Sequence, residues 1–178
     1  MQKRLVATSD VRRASGLPEP HVLRLPDRTE RVRPLVGRLG WSAVLPGLVH
    51  LTASVAGTAQ AQLSLLAEEQ SALLAYAGEA CSTVVGPLED SLCTVTVLSG
   101  DVLVAADARR HPWLHDLPPV RSGQVGCYLG VPLRLADGTT VGALCAFDPQ
   151  AHPWTDGEVA RTCEVADLVA LELQRLAA

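Results

Sequence analysis

The chain has 178 residues, 48% of them apolar but only 3% aromatic, and a formal net charge of −4. At this length a single domain with an aliphatic core is expected, and the negative balance argues against non-specific nucleic-acid binding. Five dispersed cysteines (Cys81, Cys93, Cys127, Cys145, Cys163) with no CxxC signal neither a zinc knuckle nor a thioredoxin-type motif.

No apolar run is long enough to cross a membrane, and none near Met1 has the form of a secretion signal. A reduced, cytoplasmic protein is the default expectation. The chain has no Ile, no Asn and a single Lys, Lys3, which points to a GC-rich source genome.

Residues 1–40 hold nine of the fifteen basic residues and only four of the nineteen acidic ones. Pro18, Pro20, Pro26 and Pro34 interrupt this region, and each biases its predecessor away from helix. Residues 1–44 therefore read as an Arg/Pro-rich, partly disordered arm ahead of a domain at 45–178. Such an arm suits a protein or nucleic-acid contact; a solvated tail is the plainer alternative.

Pro46 sits well in a first helical turn, Leu48, Leu51, Thr52 and Val55 follow at helical spacing, and Gly57 is a natural stop. Gln60–Leu66 alternates, with Ala61, Leu63 and Leu65 on one side, and reads as a strand. After the polar Glu68-Glu69-Gln70, Ala72–Tyr76 reads as a second strand, and Gly78–Pro87 as a loop. A short helix is expected from Leu88 to about Ser99, its acidic residues Glu89 and Asp90 at the positive end of the helix dipole. Val102–Ala106 is a short strand. The proline-rich stretch from His111 to Pro119 is a long loop with at most one helical turn.

Val125 to Pro149 is the most informative stretch. Asp137-Gly138 between two apolar runs signals a hairpin with a two-residue loop, in which facing positions sum to 275. Leu129, Val131 and Leu133 then share a face with Gly142, Leu144 and Ala146. Tyr128, Gly130, Pro132 and Arg134 share the other with Val141, Ala143, Cys145 and Phe147. Neither face is polar, so the hairpin needs cover on both sides. Thr155-x-x-Glu158 is a capping box that starts a final helix at Asp156, running to about Leu176. Its apolar stripe (Val159, Cys163, Ala166, Val169, Leu173) is widened by Val165, Leu168 and Leu171 beyond what one sheet needs, so either the first helix or a second subunit is expected to cover those three, the second making them a dimer interface.

The element order gives an α+β fold: a central antiparallel sheet, N- and C-terminal helices on one face, and a loop-covered pocket on the other. Several segments resemble the GAF domain family. Leu88-Glu89-Asp90-Ser91-Leu92-Cys93 is similar to its Ser-Phe-Cys segment, and Val104-Ala105-Ala106-Asp107-Ala108-Arg109 to its V-x-D-A-R turn. Gly130-Val131-Pro132-Leu133 and Val141-Gly142-Ala143-Leu144-Cys145 look like its G-V-P-L and G-x-L-C strands. The resemblance implies a non-catalytic sensory or regulatory module of bacterial signal transduction, binding a small molecule or a protein. It also implies a homodimer through the terminal helices, or a separate signalling output protein as partner. The alternative it leaves is an enzyme like the free methionine-R-sulfoxide reductases, acting through cysteine thiols.

No cofactor is signalled. Thr94 follows Cys93 where bilin-binding members carry Cys-His, and the Asn-containing cyclic-nucleotide signature is impossible in a chain without Asn. His111 and His115 have the spacing of metal ligands, but the surrounding prolines oppose a helix there, so no metal site is expected. The candidate ligand-binding residues are Cys93, Val97, Asp107, Trp113, Leu117, Tyr128, Cys145 and Phe147. Gly130 and Ala143 leave room for a small cavity among them. The competing reading is that Trp113 fills that room as core.

Overall fold

A hairpin with two apolar faces has to be covered twice, and the fold is arranged to do so. The computed structural model describes Leu23 and residues 25–67, 70–77, 80–87 and 91–178, with 70–77 and 80–87 described for the backbone alone. Helices α1 (Pro26–Arg38) and α2 (Leu45–Ala56) lead into strands β1 (Gln60–Leu66), β2 (Gln70–Ala77) and β3 (Ala80–Pro87). Helix α3 (Leu92–Ser99), strand β4 (Leu103–Ala105) and the one-turn helix α4 (Pro118–Arg121) follow. Strands β5 (Cys127–Arg134) and β6 (Thr140–Asp148) and helix α5 (Asp156–Ala177) complete the chain. The strands form one six-stranded antiparallel sheet in the order β3-β2-β1-β6-β5-β4.

The α+β architecture is as expected, with three corrections in its elements. Residues 80–87 form strand β3 on the outside of β2 instead of a loop. The short helix starts at Leu92, with Ser91 as its N-cap; residues 88–90 lie outside the described residues. The third correction concerns the arm. Thr29, Val32, Leu35 and Leu39 fall at helical spacing and are buried, so α1 is part of the same core as α2 and α5. Pro26 stands in the first helical turn, where its missing N–H costs nothing, and Pro34 is tolerated because the buried stripe holds the helix around it. A boundary at 44/45 therefore divides two helices that share a core. Residues 1–22 and Arg24 lie outside the described residues.

Around the hairpin tip, two departures from the expected geometry cancel. The loop has three residues: Leu135 N–H donates to Thr139 O and Gly138 N–H to Leu135 O. Gly138 takes φ +85°, and Asp137 accepts from the Thr139 N–H at 2.9 Å. Arg134 thus faces Thr140. A bulge at Val141 then restores the sum of 275, and Leu133 faces Gly142 down to Cys127 facing Asp148. The expected register holds over the whole body of the hairpin. Val141 itself turns to the helical side, against the expectation, and joins the core there.

That side is lined by Ala61, Leu63, Leu65, Val131, Leu133 and Leu144 from the sheet, with Val32 and Leu35, Val49 and Ala53, and Val165, Ala166, Val169 and Leu173 from the three helices. In α2 the buried face runs through Leu45, Val49, Thr52, Ala53 and Ala56, which leaves Leu51 outward, and Gly57 closes the helix at φ +67°. The Thr155/Glu158 capping box opens α5 as expected. Among the described residues no single helix is long and apolar enough to cross a membrane.

Arg28 on α1 ties the helical layer to the bulge. Its guanidinium donates to Thr140 O (3.0 Å), Val141 O (3.3 Å) and Leu23 O (2.9 Å). Burial lowers its pKa to about 10, so it stays charged at neutral pH. Arg28→Met keeps the aliphatic packing but strands these carbonyls. A loss of about 2 kcal/mol is expected in urea unfolding, the scale of hydrogen bonds from a charged donor.

Candidate functional site

The opposite side of the sheet is built differently. Helix α3 is buried all round, from Leu92 through Leu98, because it lies between the sheet and the loop that follows β4. Both ends of that loop are fastened: Ala108 N–H donates to Gly126 O (2.8 Å) and Gly126 N–H to Asp148 O (2.7 Å). Ahead of α5, His152 N–H reaches Ala106 O (2.9 Å) and the Trp154 indole N–H reaches Ala105 O (3.1 Å). Between these fastenings Leu114, Leu117 and Val120 drop into the core beneath the loop.

Seven of the eight candidate ligand-binding residues meet here. Cys93, Val97, Leu117, Tyr128 and Cys145 are buried in one cluster, and the half-buried Trp113 and Phe147 pack against it. Asp107 does not join them. Its carboxylate accepts from the Arg109 backbone N–H (3.1 Å) and side chain (2.8 Å), capping a single 3-10 turn at Ala108–Arg110. The hydrogen bond from Arg109 holds its carboxyl below the usual range.

The room expected above Gly130 is occupied. A Cβ on Gly130 would lie 2.4 Å from Thr96 Oγ1 and 2.6 Å from the Tyr128 hydroxyl, so the glycine is there to let the phenol lie across its own strand. Tyr128 Oη and Thr96 Oγ1 are 2.8 Å apart, which satisfies both groups without solvent. Burial, and the charge of a Cys93 thiolate beside it, push the Tyr128 pKa well up; it is a neutral hydrogen-bonding group. The space over Gly130 is thus filled by the Tyr128 side chain. Trp113 stands at the rim, its ring 5.7 Å from that of His111 in an edge contact.

Sequence reasoning missed the polar members of the site. Gln62 and Ser64 point to this side from β1, with the Gln62 amide donating to Ser64 Oγ at 2.8 Å, and Thr94 and Thr96 come from α3. The signal was present in the alternation of β1, where Gln62 and Ser64 interleave with Ala61, Leu63 and Leu65.

Two thiols also meet in the cluster: Cys93 Sγ and Cys145 Sγ are 3.4 Å apart. Tyr128 Oη (3.6 Å) and Gln62 Nε2 (3.7 Å) also approach Cys93. The Cys145 hydrogen bond is the main force drawing the Cys93 pKa down, against the opposing effect of burial. The hydrogen bond with Cys93 and burial move Cys145 up. His115 Nδ1 is 3.0 Å from His111 O and its Nε2 3.2 Å from Asp116 Oδ2. Among the described residues no group of three or more His, Cys, Asp or Glu has a metal-holding arrangement.

Trp113→Ala distinguishes a rim residue from core. A fully buried Trp would cost about 3–5 kcal/mol on truncation. From its half-buried position about 1–2 kcal/mol is expected in denaturant unfolding.

Comparison with known proteins places this geometry in context. The chain is 33% identical over 92 residues to a cyclic di-GMP phosphodiesterase, PA2567, of Pseudomonas aeruginosa; the match takes in 51% of this chain but only 16% of that protein. Among solved structures it is similar to the free methionine-R-sulfoxide reductase of Neisseria meningitidis in complex with its substrate (TM-score 0.58, 19% identity, 90% of this chain and 95% of that one). It is also similar to the GAF domain of an Acinetobacter phosphoenolpyruvate-protein phosphotransferase (TM-score 0.58, 16% identity, 84% and 94%). At these identities the structural likeness speaks for the fold. The GAF domain profile itself matches residues 19–173, which takes in α1 together with every later strand and helix, and the chain belongs to the GAF domain family.

Proposed function

We propose that the chain is a non-catalytic sensory or regulatory module of bacterial signal transduction, working in the cytoplasm and binding a small molecule on the α3 side of its sheet. One observation carries this reading. The hydrogen-bonding groups of Gln62, Ser64, Thr96 and Tyr128 are gathered on that side alone, beneath a loop fastened at both ends, beside the half-buried aromatics Trp113 and Phe147. A few polar groups in an apolar surround is the composition of a small-molecule site. The helical side has a largely aliphatic core, where the buried Thr52 and Thr162 donate to carbonyls of their own helices. A ligand enters by displacing the Tyr128 phenol from Gly130 or by lying along the Trp113 rim.

Thermal-shift screening against a metabolite library tests the reading. A ligand at about a hundred times its dissociation constant adds roughly 2.7 kcal/mol of stability, an easily measured shift. At least one stabilising compound is expected, with the shift reduced in Trp113→Ala. A chain stabilised by nothing in the library, but turning over free methionine-R-sulfoxide, would instead be a reductase.

The partner reading is a homodimer through the outer face of the helical layer, with a separate signalling protein as its output. Val165 drops out of the expected interface, because it is buried in the monomer core. Leu168 and Leu171 remain, 49% and 61% exposed. The hydrogen bond from Ser42 to Glu172 brings the α1–α2 connection alongside them, and that connection carries Trp41 (75% exposed) and Val44 (53%). Helix α5 and the α1–α2 connection thus share an apolar outer surface. Sedimentation of the wild type at tens of micromolar should give a dimer, and Leu168→Glu a monomer. A wild-type monomer, unchanged by the substitution, counts decisively against it.

A further inference from the structure

We propose that Cys93 and Cys145 are a redox couple, a buried dithiol that closes to a disulfide when the protein meets a small hydroperoxide and so pins α3 to β6. The two sulfurs lie 3.4 Å apart, and each residue is only 1% exposed. Helix α3 packs directly on β6, so the pair bridges two elements already in contact. A disulfide needs a sulfur separation of about 2.05 Å, a closure of about 1.4 Å from the distance observed.

The surroundings favour one of the two as the attacking group. Cys93 is the second residue of the eight-residue α3, after the N-cap Ser91, at the positive end of the helix dipole, which favours a thiolate. The Tyr128 hydroxyl, the Gln62 amide and the Cys145 thiol all approach the same sulfur. Gln62 is itself half-buried, which leaves the Cys93 sulfur one side chain from solvent. The other described cysteines lack this company. The Cys127 sulfur meets the Asp148 carbonyl at 3.8 Å, and burial pushes its thiol up to about 11. Cys163 is raised by burial and by Asp167 and Glu164.

The chemistry balances with the peroxide as the only co-reactant. The Cys93 thiolate attacks one peroxide oxygen and the O–O bond breaks. The departing alkoxide takes up a proton and leaves as alcohol, or as water when the oxidant is hydrogen peroxide. Cys93 is now a sulfenic acid. The Cys145 sulfur attacks it, the S–S bond forms, and the hydroxyl leaves as water with the proton from Cys145. Two thiols lose two electrons and the hydroperoxide gains them. The couple does not depend on the small-molecule reading, since thiol chemistry alone reports on it.

A variant with Cys81, Cys127 and Cys163 all changed to Ser retains only this pair. After hydrogen peroxide treatment, its intact mass should fall by two hydrogen atoms and both thiols should vanish together from titration in denaturant. Dithiothreitol should restore both, and the oxidised form should melt at a higher temperature, because a long loop is closed in its unfolded chain. Adding Cys145→Ser to that background should turn the mass loss into a gain of oxygen on Cys93. The couple is overturned if both thiols stay titratable, or if Cys93 gains oxygen while Cys145 remains free. Should the triple variant fail to fold, Cys81→Ser alone gives the answer by tryptic mapping. Oxidised protein should yield peptide 39–109 linked to peptide 135–161, and the absence of that species overturns the couple equally.

Discussion

The constraint on which the structure depends is that the β5–β6 hairpin is apolar on both faces and cannot be left uncovered on either. Leu133, Val131 and Leu144 demand one layer, and Tyr128, Ala143 and Cys145 demand another. The chain meets the first with three helices and the second with α3 and the fastened loop. Close approach of neighbouring strands and layers then dictates the glycines of the hairpin. A Cβ on Gly142 would lie 1.8 Å from Ser64 O on β1, and one on Gly130 would strike Thr96 and Tyr128. The Gly-containing strand motifs shared with the family are therefore packing requirements first.

The two layers differ in chemistry because they differ in construction. Long helices present continuous aliphatic stripes, so the helical core is largely aliphatic, and its buried Thr52 and Thr162 donate to carbonyls of their own helices, Leu48 O and Glu158 O. A short helix and a loop leave more backbone and side-chain polar groups to satisfy. On that side hydroxyls, an amide and two thiols satisfy one another in the interior. Such a network is sensitive to any change in one member, whether a displaced phenol or an oxidised thiol, since the low dielectric makes an unsatisfied group costly.

Much of the candidate site's clustering was legible in the sequence. Hairpin register alone brought Tyr128, Cys145 and Phe147 to one face, and helix spacing added Cys93 and Val97. Asp107 was misplaced because its own turn satisfies it locally, a contact that motif matching cannot weigh against a ligand. Gln62 and Ser64 were overlooked because the leucines between them carried the strand assignment. Val165 could be assigned to the dimer interface or to the first helix from sequence, because the width of a helical stripe does not reveal which neighbours share it; in the fold it is buried with residues of α1 and α2.

By itself the sequence determined what depends on near neighbours: the strand alternation, the capping box, the Gly57 stop, and the hairpin pairing around Asp137-Gly138. The last succeeded although the loop has three residues, because the bulge at Val141 compensates. Only tertiary structure decided the rest. Helix α1 survives Pro34 because Val32 and Leu35 are buried against distant strands, and the bulge is held by Arg28, more than a hundred residues away in sequence. Strand β3 exists because β2 offers it an edge to pair with. The Cys93–Cys145 contact joins residues 52 positions apart. Local propensity operates over a few residues, whereas burial and long-range hydrogen bonds are established only when the layers close, and those are the interactions that set these features.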